Sequence, residues 1–404
     1  MRYLLLFINF IVFIFKILKI YLNKKEREKG LPESLKDFYS QSQHQKWLHY
    51  EDDTDRFSLI RNTFHFVITI ILLMSPFYSW LSSLFVNHVL MNSLLMMIVL
   101  YIFESILSLM ESYYVTFVIE EKFGMNNTTI KTFLIDAIKE FVVDLLLIVI
   151  LMSFVHYFYQ WFSYYGFIII FIILAIIMYN IQRNSLWILK IYNQFTPLED
   201  NELKQRLIEL VEKEGFELKG VYVMDASKRT KRANAFCLGE KKKEICIDDN
   251  MFKYYSDDEI LAVFCHELGH AVYNHSHKLK WFTYMKGILL FLLFIYVLVN
   301  PSLYVDFGIH QLNYYMAMYV LSTLVTPIMF FIDIPINYYS RKCEEEADEF
   351  AVQQGYGRDL ARLLKKLTRD DLSDVSPDPL IAKLTYSHPP LIQRLNHIEK
   401  VLME

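Results

Sequence analysis

The stretch Trp281–Val299, WFTYMKGILLFLLFIYVLV, carries a single charged side chain, Lys286. At about 1.5 Å of helical rise per residue it is long enough to cross the roughly 30 Å hydrocarbon core of a bilayer. Working outward, Leu312–Ile332, Gly166–Ile181, Phe141–Phe158, Val89–Met110, Thr63–Val86 and Tyr3–Leu22 have the same character. Together they predict seven membrane-spanning helices. The composition agrees: of 404 residues, 54% are apolar types and only 21% are charged. Tyr3–Leu22 lacks a small-residue cleavage site and is interrupted by Lys16 and Lys19, so it reads as a retained span rather than a signal peptide.

The connections between spans alternate in basic content. Lys24, Lys25, Arg27, Lys29, Lys36 and Lys46 follow the first span, and Lys122, Lys131 and Lys139 follow the third. Arg183, Lys190 and the lysine-rich stretch to Lys280 follow the fifth, and Arg341 and Lys342 follow the seventh. The connections at Asn87–His88, Gln160–Tyr165 and Asn300–Gln311 have no Lys or Arg. The positive-inside rule then places the basic connections and the carboxyl tail in the cytosol. His65, Glu104, Glu111, Asp144 and Asp333 sit inside or at the ends of spans. Such groups are costly in hydrocarbon and face a bundle interior or water. Glu104, mid-span, implies a polar interior, whereas Glu111 and Asp333 fit an interface equally well.

The net charge of −4 and the scattered basic residues exclude a nucleic-acid field. Cys237, Cys246, Cys265 and Cys343 show no C-x-x-C spacing, which excludes a cysteine zinc site and gives no sign of a disulfide framework. Reduced thiols facing a reducing compartment are the simplest reading.

The chain divides into residues 1–190 with five spans, a cytosolic domain at 191–280, a hairpin of two spans at 281–335, and a tail at 336–404. Within the cytosolic domain, Leu203, Leu207, Ile208, Leu210 and Val211 mark one face of a helix over Asn201–Glu214, with Gly215 as its stop. Gly220–Asp225, Ala233–Leu238 and Glu244–Ile247 read as short strands. Gly239–Lys243, GEKKK, reads as a solvated turn between the last two.

Ser256 and Glu259 have capping-box spacing and open a helix that runs into His266-Glu267-Leu268-Gly269-His270. Two histidines four apart project from one helical face and reach one ion. Glu267 then lies beside the open coordination position, where it accepts a proton from water. Catalytic zinc takes three protein ligands plus water. The next acidic cluster is Glu344-Glu345-Glu346, with Asp348, just past the seventh span; the membrane hairpin returns it to the cytosolic side. Spacing leaves open which of these ligates. Glu344 and Asp348 share a face, so one can ligate while the other orients a histidine. Glu345 and Glu346 read as a solvated face, and His275 and His277 as non-ligands.

HELGHAVYNH (His266–His275), SRKCEEEADEFA (Ser340–Ala351) and YSHPPLIQRL (Tyr386–Leu395) together resemble the type I CAAX prenyl endopeptidases, the Ste24 family of integral-membrane zinc proteases. Val118–Phe141, Phe195–Leu198 and Ser227–Gly239 fit the same family. The resemblance implies seven helices around an intramembrane chamber, closed by a small α+β, gluzincin-like protease domain. It implies one Zn²⁺ per chain held by His266, His270 and Glu344, with Asp348 behind them. It further implies Glu267 as general base, His388 and Arg394 as groups assisting the transition state and substrate, and Asn234, Ala235 and Phe236 as a strand that pairs with the substrate. The implied substrate is a prenylated CAAX protein or peptide, processed at the endoplasmic reticulum membrane by a monomer embedded in the lipid bilayer. A general membrane quality-control protease and a non-catalytic scaffold are the alternatives; an intact Glu267 argues against the scaffold. The chain departs from the family in its short stretch between Gly239 and Ser256, and in cysteines where aromatic or aliphatic residues are expected. Cys265 and Cys343, each beside an expected ligand, read as small buried apolar residues.

Overall fold

The computed structural model describes residues 1–84, 88–183, 189–190, 193–239 and 242–404. Helices α1 (Arg2–Arg27), α2 (Gln41–Met74), α3 (Val89–Tyr114), α4 (Ile130–Phe162) and α5 (Tyr164–Arg183) build the amino-terminal half. Among the described residues, six helices are long and apolar enough to cross a membrane. The seventh expected span, in α5, is represented by the shorter apolar stretch Tyr165–Ile177.

The second span differs from its expected limits, Thr63–Val86. Helix α2 starts at Gln41 because Ser40 and Gln43 form a capping box, so half of it is a polar extension. It stops at Met74: Ser75 is extended, and Pro76 has no N–H with which to continue the ladder. A separate short helix follows at Phe77–Ser83; the expected end at Val86, the connection residue Asn87, and Glu240-Lys241 of the expected turn lie outside the described residues. Helices α4 and α5 fold back at Ser163, whose φ is 52°. A Cβ at Gly166 would meet the Phe158 carbonyl oxygen at 2.3 Å, so only glycine permits this close turn.

The region between the fifth and sixth spans contains β1 (Phe195–Pro197), α6 (Glu202–Lys213), β2 (Glu217–Met224), β3 (Ala235–Leu238) and β4 (Lys242–Asp248). The strand order is β1-β2-β4-β3, parallel only between β2 and β4. Strand β1 is too short and proline-containing to alternate, and no strand was expected there. The lysine run is a correction. Lys242 and Lys243 belong to β4 rather than to the turn, and Lys243 is buried. Its ammonium donates to the Gly239 carbonyl at 2.8 Å and lies 4.5 Å from the Phe216 ring.

Helix α7 (Asp257–Val272) carries the HELGH motif and leads, through Asn274 at φ 56°, into the membrane helix α8 (His275–Leu298). The return helix α9 is one continuous element, Tyr314–Gln353, despite Pro327 and Pro335. At about 1.5 Å per residue it reaches roughly 60 Å and delivers its last turns to α7. Helices α10 (Gly357–Asp370), α11 (Pro379–Thr385) and α12 (Leu391–Met403) close the tail.

Several ionisable groups of the spans find partners across helices. Lys286, the one charge in Trp281–Val299, meets Asp333 on α9 at 2.5 Å, and His65 meets Glu111 at 2.5 Å. Glu104 and Asp144 line a chamber of about 600 Å³ between α3 and α4, together with Asp136 and Glu140.

Candidate metal centre

Helix α7 begins with the expected reciprocal cap: the Glu259 N–H donates to Ser256 Oγ at 3.4 Å, and the Ser256 N–H donates to Glu259 Oε2 at 3.0 Å. The Glu259 carboxylate is fully buried because Lys366 neutralises it at 2.6 Å. The apolar side of α7, including Ile260, Leu261, Phe264 and Leu268, enters the core it shares with the sheet and α6. That packing turns His266 and His270 toward α9. Gly269 sets how close the two helices come: a Cβ there would stand 3.0 Å from Phe350 Cβ and 3.1 Å from Ala347 Cα. Any larger residue would push Glu344 away from the histidines.

His266 Nε2 and His270 Nε2 lie 3.2 Å apart, and each is 3.4 Å from a different oxygen of Glu344. Among the described residues these three form the one group of histidine, cysteine or acidic side chains able to surround an ion. Tetrahedral zinc with bonds of about 2.0–2.1 Å needs ligand atoms roughly 3.3 Å apart, so the set fits that ion.

The outer partners fix the tautomers. His266 Nδ1 lies 2.8 Å from Asp348 Oδ1 and donates to it, leaving a lone pair on Nε2. His270 Nδ1 meets His275 Nδ1 at 2.9 Å, and His275 Nε2 meets Glu346 Oε2 at 2.8 Å. If His275 donates to Glu346, its own Nδ1 accepts from His270, again leaving an Nε2 lone pair. Two lone pairs and a carboxylate thus face one another, and such a set calls for a cation. The surroundings favour positive charge at this point, which a proton on His266 also supplies. Burial and the nearby Arg394 push the His266 imidazole toward its neutral form, but hydrogen bonds with Asp348 and Glu344 outweigh them and raise it to about 9.

Glu346 corrects the sequence reading, whereas His275, read as a non-ligand, is not one of the three residues that converge. His275 is no expected ligand, yet it is buried and bridges His270 to Glu346, which is therefore more than a solvated helix face. The signal lay in the reversal at Asn274: a chain that turns there brings a residue five positions past His270 back over its ring.

Arg394 on α12 grips Asp348 through two contacts, Nε to Oδ2 at 2.9 Å and Nη2 to Oδ1 at 2.6 Å. Its guanidinium is spent on the carboxylate behind His266 rather than held free for substrate. His388, in the turn before α12, is largely exposed and places Nδ1 3.0 Å from Glu344 Oε2. His388 lines a cavity of about 550 Å³ that also receives Glu267, His270 and, from the sheet, Cys237, Gly239 and Lys243.

The sheet supplies an edge to this cavity. Strand β3 pairs with β4 on one side, and among the described residues no strand covers the other. Ala235 and Phe236 pair with Ile247 and Cys246, and the carbonyl of Asn234 accepts the Asp248 N–H at 2.9 Å. The cysteines are free thiols. Burial pushes Cys237 and Cys265 up to about 12, so neither offers a thiolate to a metal.

Residues 20–183 match the profile of the CAAX prenyl protease N-terminal region, described as five membrane helices, and residues 197–402 match peptidase family M48. Similar curated proteins include the probable CAAX prenyl protease 1 of Schizosaccharomyces pombe, 31% identical over 94% of this chain and 85% of the relative. CAAX prenyl protease 1 of Saccharomyces cerevisiae is 31% identical over 72% of this chain and 68% of its own length. The Homo sapiens homolog of CAAX prenyl protease 1 is 28% identical over 76% and 74%. A crystal structure of Ste24p from S. mikatae aligns with a TM-score of 0.91 and 26% identity, covering 98% of this chain and 99% of that one.

Proposed function

The chain belongs to peptidase family M48, a membrane metalloendopeptidase by that membership, and from this premise we propose that it removes the carboxyl-terminal tripeptide from prenylated CAAX proteins. The observation that carries the proposal is the convergence of His266, His270 and Glu344 from helices α7 and α9, with Glu267 in the same cavity. The resident ion of this reading is zinc, one per chain, held by those three residues. When bound, zinc supplies Lewis acidity toward water and a substrate carbonyl.

The chain's own residues do the rest. Glu267 takes a proton from the attacking water and passes it to the leaving amine. Asp348, fixed by Arg394, holds His266 in orientation, and Glu346 acts through His275 to do the same for His270. The exposed His388 turns a ring N–H toward the developing oxyanion and donates to it. The open edge of β3, at Asn234, Ala235 and Phe236, binds the substrate as an added strand; backbone pairing of this kind accepts varied sequences.

In this reading the protease domain and the carboxyl tail face the cytosol, which the basic connections support, and the membrane is that of the endoplasmic reticulum. The enzyme acts as a monomer in this reading, because one chain supplies every group in the site.

The test compares wild type with Glu267→Gln on a farnesylated CAAX peptide, with and without chelator. Removing a general base is expected to slow cleavage on the order of 10²–10⁴-fold while zinc stays bound. Cleavage that survives both the substitution and the chelator overturns the mechanism. Equal cleavage of unprenylated, misfolded membrane proteins would favour the quality-control role.

A further inference from the structure

The carboxyl-terminal arm runs along a single stripe of α9, and the order of contacts is regular. Asn337 Nδ2 reaches the Leu384 carbonyl at 3.5 Å. Arg341 donates from Nη1 to the Tyr386 carbonyl at 2.5 Å and from Nη2 to the Lys383 carbonyl at 3.1 Å. Glu344 meets His388, and Asp348 meets Arg394. Positions 337, 341, 344 and 348 are spaced by four, three and four, so they form one face of the helix. The arm therefore climbs the stripe in sequence register.

Helix α11 is the lower rung of this ladder. Asp378 caps its start by accepting the Leu380 and Ile381 N–H groups at 2.9 and 3.0 Å. Asn23 of α1 accepts the Asp378 N–H at 3.0 Å, and Arg27 reaches Asp374 at 3.1 Å. At its other end, the last carbonyls of a helix have no partner within the helix. Arg341 satisfies one of them, that of Lys383, and its positive charge suits the negative end of the helix. The first carbonyl past α11 that Arg341 holds belongs to Tyr386, two residues before His388.

His388 is the weakly held member. Its side chain is 68% exposed, so packing does not fix it. Pro389 and Pro390 stiffen the chain after it, which leaves the Tyr386 anchor to set where the imidazole stands. Arg341 and Glu344 lie within one turn of α9, so the anchor and the carboxylate that His388 meets move as a unit.

We propose that Arg341 is a positioning residue for His388, clamping the end of α11 so that the imidazole is delivered to the metal site. The inference rests on the role given to His388 above. Four purified full-length proteins test it, with kcat, KM and bound zinc measured on a farnesylated peptide: His388→Ala, Arg341→Ala, their double variant, and Arg341→Lys. Misplacing a reacting group by about 1 Å can cost on the order of 10²-fold, so Arg341→Ala is expected to lower kcat by roughly tenfold to a hundredfold. KM and zinc content stay at wild-type values. In the His388→Ala background the same substitution has no further effect. Arg341→Lys, which keeps a donor and the charge, recovers part of the loss and serves if the alanine variant fails to fold. Losses that multiply in the double variant overturn the clamp while leaving His388 in its role, as does loss of zinc from Arg341→Ala. A fully active His388→Ala overturns the role of His388 and the clamp together.

Discussion

The chamber between α3 and α4 and the cavity beneath α7 are alike in size and both collect carboxylates. They differ in what those carboxylates face. In the chamber, Asp136 pairs with Arg229 and Asp144 accepts from Tyr101, so these two acids have local partners that are not imidazoles. In the cavity, Glu344 faces two imidazoles whose outer nitrogens are already committed. Acidity alone makes a polar, water-compatible wall; convergence of lone pairs, enforced from behind, makes a metal site.

The sharpest way to break this contrast is to remove Glu344. Glu344→Ala is expected to lose bound zinc and all cleavage, measured by elemental analysis and peptide turnover; retention of full zinc would show that another carboxylate ligates. A smaller effect is expected at the back of the site. Loss of such an outer partner typically costs 10–100-fold in metal affinity, so His275→Ala is expected to weaken zinc binding by roughly that factor in a competitive chelator titration. An unchanged affinity would reduce His275 to a packing role. The smallest effect belongs to the chamber. Asp144→Asn keeps the hydrogen bond with Tyr101 possible, and zinc content should match wild type with turnover altered only slightly. A zinc-depleted Asp144→Asn protein would join the two regions that the geometry separates.

Local patterns carried much of this into the sequence. The capping box at Ser256, the four-residue spacing of His266 and His270, and the apolar runs of the spans all depend on neighbours within one or two turns. Span limits were less legible. The end of α2 was overrun because hydropathy continues through Phe77–Leu84, while Pro76 had already ended the helix. Glu346 was misread for another reason: its partner, His275, lies on another helix.

What the sequence determined by itself is therefore the membrane helices, the alternation of basic and uncharged connections between them, and two histidines with a glutamate on one capped helix. Helical and bilayer geometry make these consequences of spacing and composition. Which acid among Glu344, Glu345, Glu346 and Asp348 comes to face the histidines was decided only in three dimensions. That choice depends on α8 and α9 reversing through the membrane, on α9 staying continuous past two prolines, and on Gly269 letting α7 approach Ala347. Contacts separated by some eighty positions are set by packing distance, and packing distance is a property of two surfaces meeting rather than of either stretch of chain.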